Sequence, residues 1–513
     1  MSANQVEKSA ANQARPGNSQ AIGDRAQYAI YALAVAASIS IWFFAIRSPL
    51  WLDETSSFWQ ISAGLSHIFS RRGQVSAAYP YILWLTTRLT GTSEIGLRIP
   101  SILATLAAAY LLYRAARELF DRDVALIAVV FFCIHPIVVF ASIDARPYAF
   151  GAFAINAAIF MLVRLRHSNS DWLAAGFGFS AAASTHFQLL FGAVLPVLAV
   201  CFLAAKIRDV KTLARQAAIA FGAFALVFLP VIPDLLQLFR YRQTYVFERS
   251  TPRLVELGSS LAPGWSVFIF TATVLAAIAI RKVDLRNQAG GWGFLVCASL
   301  GLVPILLLYG VSALTPTNIF VARYRLIAIP GIALWWAWLI SRIDSRFLRV
   351  LFCVAIVATG AYRKLRSEDS NQHAYTWKYA LELAEKSASP DNAPVLICSD
   401  FPSADYFRMP AGAAAKDSAF FTQLSYYKLS VPVVALPRTL NAEAIRIGSD
   451  FVREAGQRRE RFLALGYRPS FETLRWLRET ASSTYEARVL GQPDGVLVLE
   501  FKPRASQPGE TRR

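Results

Sequence analysis

Two adjacent carboxylates, Asp53 and Glu54, follow the first long apolar segment of the chain, residues 26–46. This uncharged segment can cross a hydrocarbon core of roughly 30 Å as a helix, so the two acids are expected where the chain leaves the membrane. A carboxylate in that position could act as general base toward an acceptor hydroxyl or amine. The structural alternative is that both residues only cap the next helix, since Asp suits an N-cap and Glu a first turn.

Other charged residues interrupt apolar segments far along the chain. Asp144 and Arg146 separate two such segments, Arg323 begins another, and His186 lies inside a fourth. The arginine side chain binds phosphate well because its donors form a fixed fork. Carboxylates and arginines together therefore suit transfer from a phosphate-activated donor. The structural alternatives are a local Asp144 and Arg146 ion pair, an interfacial anchor at Arg323 and a core role for His186.

Composition indicates a polytopic membrane protein. Hydrophobic residues make up 55% of the 513 residues and are gathered into long runs between positions 26 and 362. The net charge of +18 would suggest nucleic acid in a soluble protein, but the basic residues cluster at the ends of apolar runs. Such clusters are typical of topology signals, and we expect no nucleic-acid partner.

The apolar runs predict about eleven transmembrane helices, with the N-terminus inside and the C-terminus outside. The runs at 172–205 and 288–322 are each too long for one helix, so breaks are expected near residues 185–188 and 315–318. The last span, at 350–362, is the shortest and relies on Arg349 reaching the interface. On this topology the candidate residues all lie at the outer face.

Amphipathic stretches at 55–76 predict juxtamembrane helices in the first outer loop, and a half-buried helix is expected at 79–90. The outer loop at 234–262 is basic against the positive-inside pattern. An anionic headgroup would explain that charge, and a solvated loop balanced by its own acids is the alternative.

The chain divides into four regions. Residues 1–25 are predicted to be a disordered cytoplasmic N-terminus, 26–362 the membrane domain, 363–503 a soluble α/β domain and 504–513 a tail. The following segments carry the pattern of the soluble domain: a helix at 375–386 and strands at 394–399, 431–436 and 495–501.

Four blocks of sequence, in order, resemble the GT-C class of membrane glycosyltransferases. These blocks are WLDETSSFWQIS, YPYILWLTTRLTGTSEIGLRIPSILATLAAAYLLYRAARELF, HPIVVFASIDARPYAF and VARYRLIAIPG. The nearest likeness is to the branch with protein O-mannosyltransferases and the lipid A aminoarabinose and galacturonic acid transferases. The resemblance covers roughly residues 40–340.

The resemblance implies a polyprenyl-phosphate-linked sugar donor in the membrane and inverting transfer at the outer face. Asp53 matches the family's first-loop acid, used as catalytic base or acceptor-positioning group, and Glu54 its acidic neighbour. Asp144, Arg146 and Tyr148 match an acid, an arginine and a tyrosine of a second motif. Arg323 and the adjacent Tyr324, in the fourth block, are further candidates for binding the donor phosphate.

We therefore expect a glycosyltransferase of the cytoplasmic membrane that acts on a glycan, lipid or protein acceptor. A flippase or transporter for lipid-linked sugars is the alternative, and a third is a protein that positions partners through its outer domain. The sequence specifies no cofactor, and it leaves a divalent cation near the carboxylates open, since no metal-ligand spacing requires one.

Overall fold

The computed structural model of the chain describes residues 18–70, 78–207, 209–240, 251–261, 291–315, 318–366, 376–406 and 408–504. Its first part is built from helices, and its last part contains a five-stranded sheet. The span expected at 263–280, the centre of the turn at 315–318, most of the predicted N-terminal region and the tail after Arg504 lie outside the described residues.

Fifteen helices form the described portion of the helical part. They are α1 (Asn18–Ser40), α2 (Leu52–Ser62), α3 (Tyr79–Thr90), α4 (Glu94–Leu119), α5 (Arg122–Ile134), α6 (Pro136–Ser142), α7 (Tyr148–His167), α8 (Asp171–Phe187), α9 (Leu195–Lys206), α10 (Val210–Phe228), α11 (Ile232–Arg240), α12 (Leu254–Leu261), α13 (Gly291–Leu314), α14 (Ile329–Ser341) and α15 (Arg346–Arg366). Short 3₁₀ segments at Ile41–Ala45, Leu189–Val194 and Ala322–Ala328 extend or join them.

The structure corrects the predicted start of the first span. Helix α1 begins at Asn18, so residues 18–25 are helical instead of disordered. Polar residues extend a helix cheaply once its apolar part has formed, because propagation costs much less than nucleation. The predicted helix at 79–90 and the break at 185–188 are both confirmed, by α3 and by the end of α8 at Phe187.

The membrane character of the chain is confirmed. Among the described residues, six helical segments are long and apolar enough to cross a membrane, and a seventh results if α5 and α6 count as one span. These two helices meet at an angle of 69°, and the break falls at His135 and Pro136, where the proline lacks the N–H that would continue α5. The predicted total of eleven spans is not confirmed.

Helix α5 lies at the centre of the helical core. Its residues from Val124 to Ile134 are buried except Leu126, as expected for a helix that is apolar on all sides. Asp121 caps its first turn by accepting from the Val124 N–H at 2.8 Å. The bend leads into α6, and the loop from Asp144 to Arg146 follows that short helix.

Helix α15 runs parallel to α5. An ion pair of 2.9 Å joins Arg349 to Asp123 near the first turns of the two helices, and Gly360 packs against the Ile134 side chain at the other end. Arg349 is therefore paired rather than only extended toward the interface. The parallel course returns the chain to the end of α5 that carries Asp144, where the C-terminal domain begins.

The C-terminal domain is a mixed α/β fold, as the sequence predicts. Its strands are β1 (Val395–Cys398), β2 (Val433–Leu436), β3 (Phe462–Gly466), β4 (Tyr485–Gly491) and β5 (Leu497–Pro503), in the order β2-β1-β3-β5-β4. Strand β1 is parallel to β2 and β3, while β5 is antiparallel to β3 and β4. Strands β3 and β4 were not predicted; β4 is an edge strand whose residues are mostly exposed or half-buried.

Five helices accompany the sheet: α16 (Lys378–Ala388), α17 (Ala413–Lys416), α18 (Thr422–Tyr426), α19 (Ala442–Arg458) and α20 (Phe471–Ala481). Alternate residues of β1 enter two separate cores, because side chains of a strand point to opposite faces. Val395 and Ile397 pack with Trp377 on one face, and Leu396 and Cys398 enter the core on the other.

The C-terminal domain packs on α2, the helix that follows the first apolar segment. The Thr55 and Thr422 hydroxyls are 3.0 Å apart, and Trp59 Nε1 donates to the Asp417 carbonyl at 3.0 Å. The hydroxyl of Tyr427 accepts from the backbone N–H of Leu50 at 2.6 Å. The sheet domain therefore lies on the face of the helical part that carries Asp53 and Glu54.

Candidate active site

The turn that leads into α2 is fixed by a buried ion pair. Arg98 donates to both carboxylate oxygens of Glu54, from Nε at 2.8 Å and from Nη2 at 2.6 Å, and both side chains are fully buried. Glu54 also accepts from the N–H groups of Ala145 at 2.8 Å and of Trp51 at 3.4 Å. Both oxygens of Glu54 are thus bonded to groups of the protein itself.

Arg98 also binds the backbone of the preceding loop. Its guanidinium donates to the carbonyls of Ile46 at 2.9 Å, Ser48 at 2.7 Å and Pro49 at 3.2 Å. Sequence reasoning did not select this residue. Its signal was present, since Arg98 stands close to an apolar run inside one of the blocks that carry the family resemblance, and a buried charge needs a partner.

Asp144 lies close to Glu54, which accepts from the N–H of the next residue, Ala145. Its Oδ1 accepts from Trp51 Nε1 at 3.0 Å, while Oδ2 has no hydrogen-bond partner among the described residues. Burial, together with the negative charge of Glu54, raises the pKa of Asp144 well above its usual range. Asp144 does not form the local ion pair that was the structural alternative, because no ion pair to Arg146 is present in the described part of the chain.

Arg146 joins the Asp144 loop to α2. Its Nη1 donates to the backbone carbonyl of Asp53 at 3.1 Å and to the Ser57 hydroxyl at 3.3 Å. The guanidinium carbon lies 6.0 Å from the ring centre of Tyr148, the first residue of α7. The loop from Asp144 to Arg146 and helix α2 thereby meet at Asp53, although Arg146 and Asp53 are 93 residues apart in sequence.

Asp53 is the acid of this group that reaches solvent, with 24% of its side chain exposed. Its Oδ2 lies 3.9 Å from Nη1 of Arg323, which comes from the 3₁₀ segment before α14. The Arg323 guanidinium lies over the ring of Tyr324 at 5.3 Å. A partly exposed carboxylate therefore stands beside a cation at the mouth of the helical part, which is the side on which the C-terminal domain packs.

Two arginines at this mouth retain unused donors. The Nε atoms of Arg146 and Arg323 are buried and have no hydrogen-bond partner among the described residues. Buried polar groups are nearly always bonded in folded proteins, so these two N–H donors are available to a ligand or to water. The donors belong to arginines, and their fixed fork suits an anionic oxygen such as that of a phosphate.

The structure brings Asp53, Glu54, Asp144, Arg146 and Arg323 together, as the sequence predicts, whereas His186 is hydrogen-bonded to a neighbouring helix. His186 Nε2 donates to the Val227 carbonyl of α10 at 2.6 Å. This contact joins α8 to α10 and is typical of a structural histidine. In the described portion of the chain, no group of three or more His, Cys, Asp or Glu side chains is arranged to hold a metal ion.

Comparison with known proteins supports the assignment of the fold. Residues 75–235 match the family model described as dolichyl-phosphate-mannose-protein mannosyltransferase. ArnT from Cupriavidus metallidurans in the apo state is 12% identical, with a TM-score of 0.57 and coverage of 91% of this chain and 97% of ArnT. The same protein bound to undecaprenyl phosphate gives 13% identity, a TM-score of 0.55 and the same coverage.

The apo oligosaccharyltransferase of Archaeoglobus fulgidus is 13% identical, with a TM-score of 0.49 and coverage of 94% of this chain and 75% of that one. No curated protein sequence matches the chain. The resemblance to the GT-C membrane glycosyltransferases predicted from the sequence is therefore confirmed, by the family match at residues 75–235 and by a fold shared with ArnT over 91% of the chain.

Proposed function

We propose that the protein is an inverting glycosyltransferase that moves a sugar from a polyprenyl-phosphate-linked donor to an acceptor at the outer face of the cytoplasmic membrane. The observation that carries this proposal is the pairing of Asp53 with Arg323 at 3.9 Å, in a mouth where Arg146 and Arg323 hold unused donors. A general base and a phosphate-binding cation thus stand side by side. Both are needed when an acceptor displaces a phosphate.

In the proposed reaction, Asp53 accepts the proton of the acceptor hydroxyl or amine. The acceptor atom forms a bond to the anomeric carbon of the sugar while the bond from that carbon to the phosphate oxygen breaks. The electron pair leaves with the polyprenyl phosphate, whose charge Arg323 and Arg146 stabilise. Tyr148 and Tyr324 lie beneath these two guanidinium groups and orient them.

The comparisons support this donor class. The matched family model is named for a dolichyl-phosphate-mannose-dependent transferase, and one of the ArnT structures contains undecaprenyl phosphate. Both names describe a sugar carrier with a phosphate on a long isoprenoid chain. The acceptor of this protein is a glycan, a lipid or a protein.

We assign positioning roles to Glu54 and Asp144. Glu54 is fully buried and bonded to Arg98, Ala145 and Trp51, so it fixes the turn that presents Asp53. Asp144 accepts from the indole N–H of Trp51 and so holds that side chain in place. His186 has no part in the proposed reaction, since its ring is bonded to the Val227 carbonyl.

We further propose eleven spans, a cytoplasmic N-terminus and an outer C-terminal domain. The parallel course of α5 and α15 and the contacts of α2 with the C-terminal domain support a common side for that domain and Asp53. The clusters of Lys and Arg at the opposite ends of the helices support a cytoplasmic assignment for that opposite side.

The proposal is tested by mass spectrometry of lipids, glycans and surface proteins from cells that express the wild-type chain or Asp53→Asn at equal levels. We expect the variant to lose one hexose- or pentose-sized increment from one class of molecule. That class identifies the acceptor. Asp450→Asn, a change of the same kind on the partly exposed helix α19, serves as the matched control.

Equal increments in wild type and Asp53→Asn would refute the assignment of Asp53 as base. If a deletion strain showed no lost increment, but its lipid-linked sugar became inaccessible from outside the cell, the protein would be a flippase.

A further inference from the structure

Three residues of the C-terminal domain follow parallel strands at the same edge of the sheet. Asp400 follows β1, Arg438 follows β2 and Tyr467 follows β3. Because β1 is parallel to both neighbours, the three residues lie together at the carboxyl edge. In open α/β sheets, ligands bind at this edge.

A chain of contacts connects this edge to α2. Ser399, at the end of β1, donates to the Phe420 carbonyl at 2.8 Å, and Thr422, two residues later, meets Thr55 of α2 at 3.0 Å. Asp400 follows Ser399 directly, and Asp53 lies two residues before Thr55. The negative charge of Asp53 acts on Asp400 across this interface.

Asp400 is a buried carboxylate whose negative charge is only weakly compensated by neighbouring donors and cations. It is 5% exposed and accepts from Trp377 Nε1 at 3.4 Å. Burial raises the pKa of Asp400 to about 6, the Asp53 charge adds to that rise, and the Trp377 hydrogen bond and the Arg438 charge oppose it. A buried charge costs free energy, so a neutral side chain would serve the fold better.

Buried polar atoms beside Asp400 and beside the contact with α2 also remain unsatisfied. The Nε atom of Arg438 and both amide atoms of Gln423 have no hydrogen-bond partner among the described residues. Gln423 is fully buried and directly follows Thr422, the residue that contacts α2. Such groups are satisfied when a polar ligand supplies the missing donors and acceptors.

We propose that Asp400, Arg438 and Gln423 form a sugar-binding subsite opposite Asp53. The carboxylate accepts hydrogen bonds from hydroxyl groups, the guanidinium and the amide donate to hydroxyl and ring oxygens, and the half-buried Tyr467 supplies aromatic surface. The inference rests on the proposed glycosyl transfer and adds the residues that recognise the sugar. The sugar belongs to the donor or to a glycan acceptor.

The test is binding of pyranosides to the full chain in nanodiscs, measured by ligand-observed NMR. The probes are methyl α-mannoside, methyl β-galactoside and methyl arabinopyranoside. We expect wild type and Asp450→Asn to bind at least one probe, and Asp400→Asn to bind it about tenfold or more weakly, because the variant loses the charge that strengthens its hydrogen bonds to the sugar. Arg438→Gln, at a half-buried position, should show the same loss of binding. This variant replaces Asp400→Asn in the test if Asp400→Asn fails to fold.

Kinetics with the acceptor class identified by mass spectrometry then separates the two sources. A rise in the donor KM of Asp400→Asn assigns the subsite to the donor sugar, and a rise in the acceptor KM assigns it to the acceptor. Absence of pyranoside binding by wild type, or equal binding by wild type and both variants, would overturn the proposal. Asp400→Asn could lose pyranoside binding while Asp53→Asn keeps full transfer activity. That result would support the sugar-binding subsite and overturn the role of Asp53 as base.

Discussion

The Glu54 carboxylate and the Arg98 guanidinium form a two-bond ion pair in which neither side chain is exposed to solvent. Removal of one partner from a buried pair leaves an uncompensated charge and costs about 3–5 kcal/mol. We therefore predict that Arg98→Met lowers the thermal unfolding temperature of the purified chain more than Asp53→Asn does. Thermal unfolding in detergent measures the difference.

A double variant separates the two tasks of Arg98. Arg98→Met combined with Glu54→Gln removes both charges, but the carbonyls of Ile46, Ser48 and Pro49 still lose their donor. The double variant should remain less stable than wild type. Full recovery would mean that Arg98 acts as the counter-ion of Glu54 and contributes nothing through the loop.

Arg323 should affect binding of the donor more than the structure. Its guanidinium is partly exposed and faces Asp53, so Arg323→Gln should raise the donor KM about tenfold or more, as expected for loss of a charge-assisted hydrogen bond. Arg323→Lys should recover part of this loss, because it restores the charge without the fork. Steady-state kinetics with varied donor checks both variants.

Arg342→Gln is the matched control for Arg323. Arg342 directly follows the last residue of α14 and lies over the Trp338 ring at 4.9 Å. It is at the opposite end of that helix from Arg323. An equal rise of the donor KM in Arg342→Gln would show that the effect of Arg323→Gln reflects total positive charge and not a local contact.

The sequence predicted the part of the site that depends on topology. Asp53, Arg146 and Arg323 could be placed on one face because each lies at the end of an apolar run, and runs of known length fix the side on which their ends emerge. Arg98 was missed because its carboxylate partner, Glu54, lies 44 residues earlier in the chain, and no sequence pattern links the two residues. Asp400 was missed because its approach to Asp53 depends on how two separate domains pack.

Tyr427 should position the turn before Asp53. Its hydroxyl accepts from the N–H of Leu50, a residue that is 1% exposed. In Tyr427→Phe this buried N–H loses its acceptor, at a cost of about 1–3 kcal/mol. We predict a lower kcat and a lower unfolding temperature for this variant, measured on the same preparation.

The neighbouring tyrosine provides the control. Tyr426 donates from its hydroxyl to the Thr92 carbonyl at an exposed position, where water can replace it. Tyr426→Phe should therefore change kcat and stability much less than Tyr427→Phe. Equal effects would show that general packing of the domain matters, and that the bond to Leu50 has no special role.

The proposed topology predicts which positions a membrane-impermeant thiol reagent can label. All five native cysteines are buried, so their background is low. Glu454→Cys, on an exposed position of α19, should react in intact cells, whereas Asn169→Cys, between α7 and α8, should react only after permeabilisation. The reverse pattern would place Asp53 at the cytoplasmic face and exclude an outer active site.

Asp400 predicts an unusual dependence of stability on pH. Its pKa is raised to about 6 by burial and by the charge of Asp53, with Arg438 and Trp377 opposing the rise and Tyr467 also nearby. Folding thus favours the protonated form. The resulting stabilisation is fully present below the unfolded pKa of about 3.9 and is lost as the pH rises through about 6.

Asp400→Asn replaces the carboxylate with a neutral group that can still accept from Trp377. The variant should be more stable than wild type at pH 8, by up to about 3 kcal/mol for a shift of this size, and the difference should shrink as the pH falls toward 5. Thermal unfolding at several pH values, with Asp450→Asn as control, measures it. A variant that is less stable than wild type at pH 8 would show that the carboxylate stabilises the fold. The predicted gain in stability would instead identify Asp400 as an acid that is retained although it destabilises the fold, as expected for a ligand-binding group.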